Sequence, residues 1–144
     1  MAQVWFKYNS SKSLSAIGIL LLFLISCSKP REYYFENNDE TSGGFLSVSM
    51  HLDSDGKLEI MRIEAKAKEI NEAGSVFTFD TLLINGTWRE LEDSILCKPD
   101  IPDPTFRKLC LPPGPGSQMA TKGTLSFPLN TDTVFLFGQP CLRK

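Results

Sequence analysis

From residue 45 onward the chain alternates apolar and polar side chains with a period of two, and that period limits what it can fold into. Leu46, Val48, Met50 and Leu52 alternate with Ser47, Ser49 and His51. Successive side chains of a strand point to opposite faces, so this run reads as a strand with one face buried. Asp53-Ser54-Asp55-Gly56 supplies turn chemistry. Met61, Ile63, Ala65 and Ala67 then alternate with Arg62, Glu64, Lys66 and Lys68. Ile60, Ile63, Ala67 and Ile70 also share a helical face that Gly74 would cap, so 57–73 carries a helical alternative. The turns on both sides favour the strand. Val76–Ile84 is rich in β-branched and aromatic residues, and Asn85-Gly86 is the favoured pair of a two-residue type I′ turn. The expectation is a hairpin returning along Thr87–Cys97. Phe106–Leu111, Thr124–Leu129 and Thr133–Phe137 are shorter strand candidates.

About seven strands at this spacing predict a single antiparallel all-β domain over 45–144. The expected form is a small β-sandwich, immunoglobulin-like or similar, with a small β-barrel as the alternative. A chain of 144 residues supports one such domain. Six of its nine prolines fall within 99–115, where the missing ladder donor predicts ordered loops around one short strand. Exposed loops on a rigid scaffold are where binding surfaces usually sit, and plain stiff connectors would have the same composition.

Residues 1–26 break sharply from this pattern. They contain Lys7 and Lys12 and no acid, and Ala16–Ile25 reads AIGILLLFLI. A basic start and an apolar core of ~7–15 residues is the form of a secretory signal, and this run falls short of the roughly 20 residues a spanning helix needs. Leu24-Ile25-Ser26-Cys27 resembles the lipobox of bacterial lipoproteins. The resemblance covers about the first 28 residues. It implies diacylglycerol transfer to the Cys27 thiol, cleavage before Cys27 and acylation of the new amine, so that the lipid on Cys27 is the membrane contact. Ser28 in place of Asp is similar to the outer-membrane choice in enteric-type sorting, while a periplasmic or outward orientation stays open. The domains expected are thus a signal peptide, 1–26, a lipidated cysteine with a polar tether, 27–44, and the β domain, 45–144. A flexible tether of that length has an r.m.s. reach of roughly 20–25 Å. Tyr33-Tyr34-Phe35 is an awkward triplet for a free linker and is expected to dock on the body or near the membrane interface.

Removal of residues 1–26 leaves 118 residues with thirteen basic and 17 acidic side chains, a charge of −4. With a pI near 5.4 and no basic stripe, nucleic acid is not an expected partner. A single histidine excludes paired-His zinc motifs. His51 lies on the polar phase of its strand and reads as a surface residue rather than the partner of a catalytic cysteine. Asp53, Asp55 and Gly56 match part of a calcium loop, but His51 stands where the first acid belongs and Arg62 where the bidentate Glu belongs. No metal or cofactor is expected. Glu90, Glu92 and Asp93 read as a solvated strand face rather than a glycosidase pair. Asn85-Gly86-Thr87 matches a glycosylation sequon, which the turn explains.

Once Cys27 carries lipid, Cys97, Cys110 and Cys141 remain. Export favours disulfides. A Cys97–Cys110 bond would close a proline-rich loop and contribute ~3 kcal/mol in the chain-entropy model, and a Cys110–Cys141 bond would pin the C-terminal tail instead. Gly86-Thr87-Trp88 resembles the G-x-W element of lipocalin-type barrels. Some forty domain residues precede it and 56 follow, too few for that barrel, so Trp88 reads as a core side chain. The expected function is a lipid-anchored, non-enzymatic binding or accessory module of the bacterial envelope, contacting an envelope protein or small ligand through the proline-rich loops. The alternative is a small lipoprotein inhibitor that protects the envelope from a hydrolase.

Overall fold

The structure, a computed structural model, describes residues 29–39, 44–71, 74–110 and 118–144. Cys27 and the lipobox lie outside the described residues. Nine strands and one helix follow in the order β1 (Arg31–Asp39), β2 (Gly44–Leu52), β3 (Lys57–Asn71), β4 (Gly74–Glu90), β5 (Ser94–Pro99), α1 (Asp103–Cys110), β6 (Met119–Thr121), β7 (Thr124–Pro128), β8 (Thr133–Leu136) and β9 (Gln139–Arg143). All the strands belong to one antiparallel sheet of order β6-β7-β5-β4-β3-β2-β1-β9-β8, curled into a half-barrel. The domain is all-β, as its period predicts, with one continuous sheet turning back on itself where a sandwich has two.

The curl follows from which face is apolar. Val48, Met50, Leu52, Leu58, Ile60 and Ile84 point inward from β2, β3 and β4, and Ile95, Leu125, Phe127, Val134 and Leu136 meet them from the remaining strands. Tyr33 on β1 packs edge-on against Phe127 on β7, with ring centroids 5.7 Å apart. Four strands separate β1 from β7 in the sheet, so only a strongly curved sheet brings the two rings together. Closure is completed by one side chain. Gln118, just before β6, donates from Nε2 to the Phe135 carbonyl and accepts the Phe135 N–H at Oε1, both at 2.8 Å. Its amide thereby supplies a ladder rung between the two outermost strands, β6 and β8.

Lys57–Asn71 is a strand, which decides against the helix alternative over the described part of 57–73. The turn at Asp53–Gly56 is also as predicted: the Gly56 N–H donates to the Asp53 carbonyl, and Gly56 takes a φ of 83°. Three expectations are corrected. Asn85-Gly86 is not a turn but lies inside β4, where Asn85 pairs with Glu59 and Gly86 with both Leu58 and Pro99. A Cβ on Gly86 would stand 2.4 Å from the Lys98 carbonyl oxygen, so the glycine serves close approach of strands. The two-residue turns with positive φ at both positions are instead Lys122-Gly123 and Phe137-Gly138.

The Phe106–Leu111 candidate is not a strand over its described part, Phe106–Cys110, which belongs to the helix Asp103–Cys110. Asp103 and Pro104 suit a first helical turn, where a missing N–H costs nothing. The Pro102 carbonyl accepts from Phe106 N–H, and Phe106, Leu109 and Cys110 share the buried face. Finally, Arg31–Asp39, expected within a polar tether, forms β1, paired with β2 from Arg31↔Leu52 to Asp39↔Gly44 and with β9 at Tyr33 and Tyr34. Tyr33 is wholly buried and its hydroxyl donates to the Thr131 carbonyl at 3.2 Å.

Candidate functional site at the helix end of the half-barrel

The half-barrel has two ends of different character. At one, Arg31 on β1 donates to the Leu129 carbonyl at 2.5 Å and pairs with Glu90 at 3.3 Å, fastening the start of the domain to the ends of β4 and β7. At the other end, α1 lies across the mouth of the sheet. The Phe137 N–H donates to the Leu109 carbonyl at 2.7 Å, which satisfies one of the helix's terminal acceptors. This bond ties α1 to the β8–β9 turn.

The helix leaves a cleft on each side. One, of about 580 Å³, has Leu46, Leu82 and Phe137 as apolar walls and Arg62, Thr105, Lys108 and Gln139 as polar groups. The other, of about 670 Å³, lies between α1 and the β6–β7 hairpin and is lined by Asp103, Phe106, Arg107, Cys110, Ala120, Lys122 and Gly123. Both are of a size that takes a small molecule or a few side chains. The proline-rich stretch singled out from sequence contributes α1 to both clefts, while 111–117 lies outside the described residues.

In the first cleft Arg62 is held by acidic neighbours. The Arg62 guanidinium sits 5.7 Å from the Phe137 ring centroid, bonds to Glu64 and stands 4.0 Å from Asp80. Lys66 Nζ donates to the other Glu64 oxygen at 2.7 Å. The Lys66 hydrogen bond, followed by the charge of Arg62, holds the Glu64 carboxyl below the usual range. Phe137 has a φ of 51°, a left-handed backbone that is uncommon for a bulky residue. The turn demands it, and the bond to Leu109 and the stacked Arg62 hold the ring there.

The other sequence candidates are dispersed. His51 is exposed on β2 with Nε2 2.8 Å from Asp53 Oδ1, and Asp55 bonds to Lys57 Nζ at 2.5 Å. The Asp–Ser–Asp–Gly segment is thus a turn braced by its own neighbours. Glu90 is engaged by Arg31, and Glu92 and Asp93 lie exposed in the β4–β5 turn. Among the described residues no three His, Cys, Asp or Glu side chains gather as for a metal ion. Trp88 is a core side chain, its Nε1 donating to the Asp53 carbonyl at 2.8 Å.

The disulfide pairings are also corrected. Cys97, Cys110 and Cys141 are free and buried, with no bond between Cys97 and Cys110 or between Cys110 and Cys141. Cys97 sits on β5, Cys110 at the end of α1 and Cys141 on β9. All three belong to the single core cluster, each from a different element. Burial pushes Cys97 and Cys141 up to about 12 and Cys110 up to about 11. Groups so far above neutrality are protonated thiols that fill space, not nucleophiles.

The fold and clefts together define a small antiparallel β half-barrel capped by one helix. No known family, curated protein or solved structure matches the chain.

Proposed function

We propose that the chain is a membrane-anchored lipoprotein of the bacterial cell envelope, outer membrane by its Ser28, whose β domain is a non-enzymatic binding module. In this reading lipid on Cys27 holds the protein at the bilayer, and the clefts beside α1 take an envelope protein or a small ligand. The observation that carries it is the distance from anchor to fold. The first strand begins at Arg31, four residues after Cys27. Four extended residues span at most ~14 Å, far less than the tether expected for 27–44, so the Arg31 end of the half-barrel would rest close to the headgroups. The α1 clefts, at the other end, would be held away from them.

What supports binding over catalysis is the state of the reactive groups. The thiols are buried, His51 pairs with Asp53 on the outer surface, and Arg62 in the first cleft is held by Glu64 and Asp80. The anchor is tested by Cys27→Ser in full-length protein in a bacterial host that performs lipidation. The expected result is loss of fatty-acid labelling and release from membranes, and labelling that persists refutes the lipobox reading. For the clefts, a photo-crosslinker in place of Lys108 should recover one partner in the native envelope that a lipidated control protein does not. Recovery of lipid and general chaperones alone would count against them.

A further inference from the structure

We infer that the free edge of β4 pairs with β4 of a second copy of this chain, antiparallel and centred on Phe79, to form a dimer with a continuous sheet. β4 is seventeen residues long and is paired with β3 along Gly74–Thr87, but β5 covers its other side only from Gly86 to Glu90. Among the described residues Val76–Leu83 therefore has a neighbouring strand on one side only. Alternate backbone N–H and C=O groups along it are left facing outward, which is a template for another strand.

The side chains on this edge are those of a covered strand. Phe79 is 72% exposed, Val76 55%, Leu83 52% and Phe77 43%. Proteins keep free edges single with lysine, proline or a bulge. Val76–Leu83 has no lysine and no proline, and the irregularity between Ala67 and Glu69 lies in β3. The hairpin also runs past the body of the sheet, since β2 ends its pairing at Phe45↔Ala65 while β3 continues to Asn71. Those six further residues project roughly 20 Å, which leaves the edge accessible.

A second copy is the occupant because the edge can pair with itself without setting like charges opposite each other. With Phe79 opposite Phe79 of the second copy, Phe77 faces Thr81 and Asp80 faces Thr78. An aromatic pair then lies at the twofold axis, flanked by aromatic and β-branched pairs, which are the favourable cross-strand combinations. Centring the pair on Asp80 would place two carboxylates face to face, which is unfavourable. Antiparallel pairing carries the two Arg31 ends to opposite poles. If both Cys27 residues are lipidated in one leaflet, β4 lies along the bilayer, and the upright orientation with the α1 clefts away from the headgroups applies to the single copy, not to the dimer. The dimer itself does not depend on the anchor, so failure of either reading leaves the other standing.

The test is the oligomeric state of the full chain in detergent, across a concentration series, by analytical ultracentrifugation. Wild type should sediment as a dimer, and Phe79→Lys, which sets two like charges at the axis, as a monomer with an unchanged far-UV spectrum. Cysteine pairing reads the register even if that variant misfolds. On oxidation Phe79→Cys should give a covalent dimer, and Phe77→Cys mixed with Thr81→Cys a covalent heterodimer. Phe77→Cys alone should behave as wild type, whose native cysteines set the background. A wild-type monomer throughout, a dimer unaffected by Phe79→Lys, no crosslink from Phe79→Cys, or a crosslink from that position to another protein would each overturn the proposal.

Discussion

Cys97, Cys110 and Cys141 owe their chemistry to where they are packed. A thiolate loses hydration when it is buried, and that desolvation is the leading cause of each upward shift. At neutral pH the reactive form is then rarer by ~10²-fold or more than for an ordinary thiol with a pKa near ~8.5. The expected outcome with a colorimetric thiol reagent is little reaction in the folded protein and full reaction of all three in denaturant. Cys27 adds a fourth reactive thiol only in unlipidated protein, so the denatured count also reports the anchor. Rapid labelling in the folded state would show that the affected cysteine is not packed as described. Tyr33 makes the same point with a different group, since burial raises its phenol against the opposing charges of Arg143 and Arg31. Its inward direction was legible in part, because an aromatic triplet is out of place in a free linker. Its partners, Phe127 and Thr131, lie almost a hundred residues away, and no local pattern announces them.

Elements divide by whether their signal is local. β2, the turn at Asp53–Gly56 and β3 were readable because burial of one face imposes a period of two, and the turn residues carry the rest. Asn85-Gly86 in β4 carries the strongest short hairpin signal in the chain and yet stays in strand, because glycine there answers a different demand. The Lys98 carbonyl and the Pro99 Cα come within 2.4 Å and 2.8 Å of where a Cβ would be. Gly86→Ala must push these backbones apart, and by the usual cost of overpacking should destabilise the fold by about 1–3 kcal/mol. A urea denaturation midpoint unchanged from wild type would refute that account. The helix was hidden in a similar way. Its prolines suggested interrupted strand, yet Asp103-Pro104 at the start, Arg107 and Lys108 in the last turn, and Phe106, Leu109 and Cys110 on one face are all helical signals. Eight residues are too few for that pattern to prevail without the sheet mouth that receives it.

At the scale of the molecule, closure depends on contacts between the two outermost strands. β8 would otherwise expose its own edge, and Gln118 covers it with two hydrogen bonds to Phe135. Gln118→Ala should remove about 1–2 kcal/mol from global stability, the net worth of such bonds. It should also speed hydrogen exchange at the Phe135 amide, and exchange at the wild-type rate would mean that the edges are closed by something else. This protected edge contrasts with Val76–Leu83 on β4, which among the described residues has a strand on one side only, beside exposed aromatic side chains. The molecule is thus closed on itself at one place and open to a neighbouring strand at another.

The sequence by itself determined that the chain is β-rich and antiparallel, because half-burial of a strand has a period that any strand must show. It also determined where the β2–β3 turn falls, and it supplied the grounds for an anchor at Cys27. The tertiary structure alone decided that β1 joins the sheet between β2 and β9, that Gly86 stays in strand, that α1 caps the mouth, and that the three cysteines are unbonded. Each of these depends on groups brought together from distant parts of the chain. Sequence spacing specifies which side of a strand is buried, but not which strand will lie beside it.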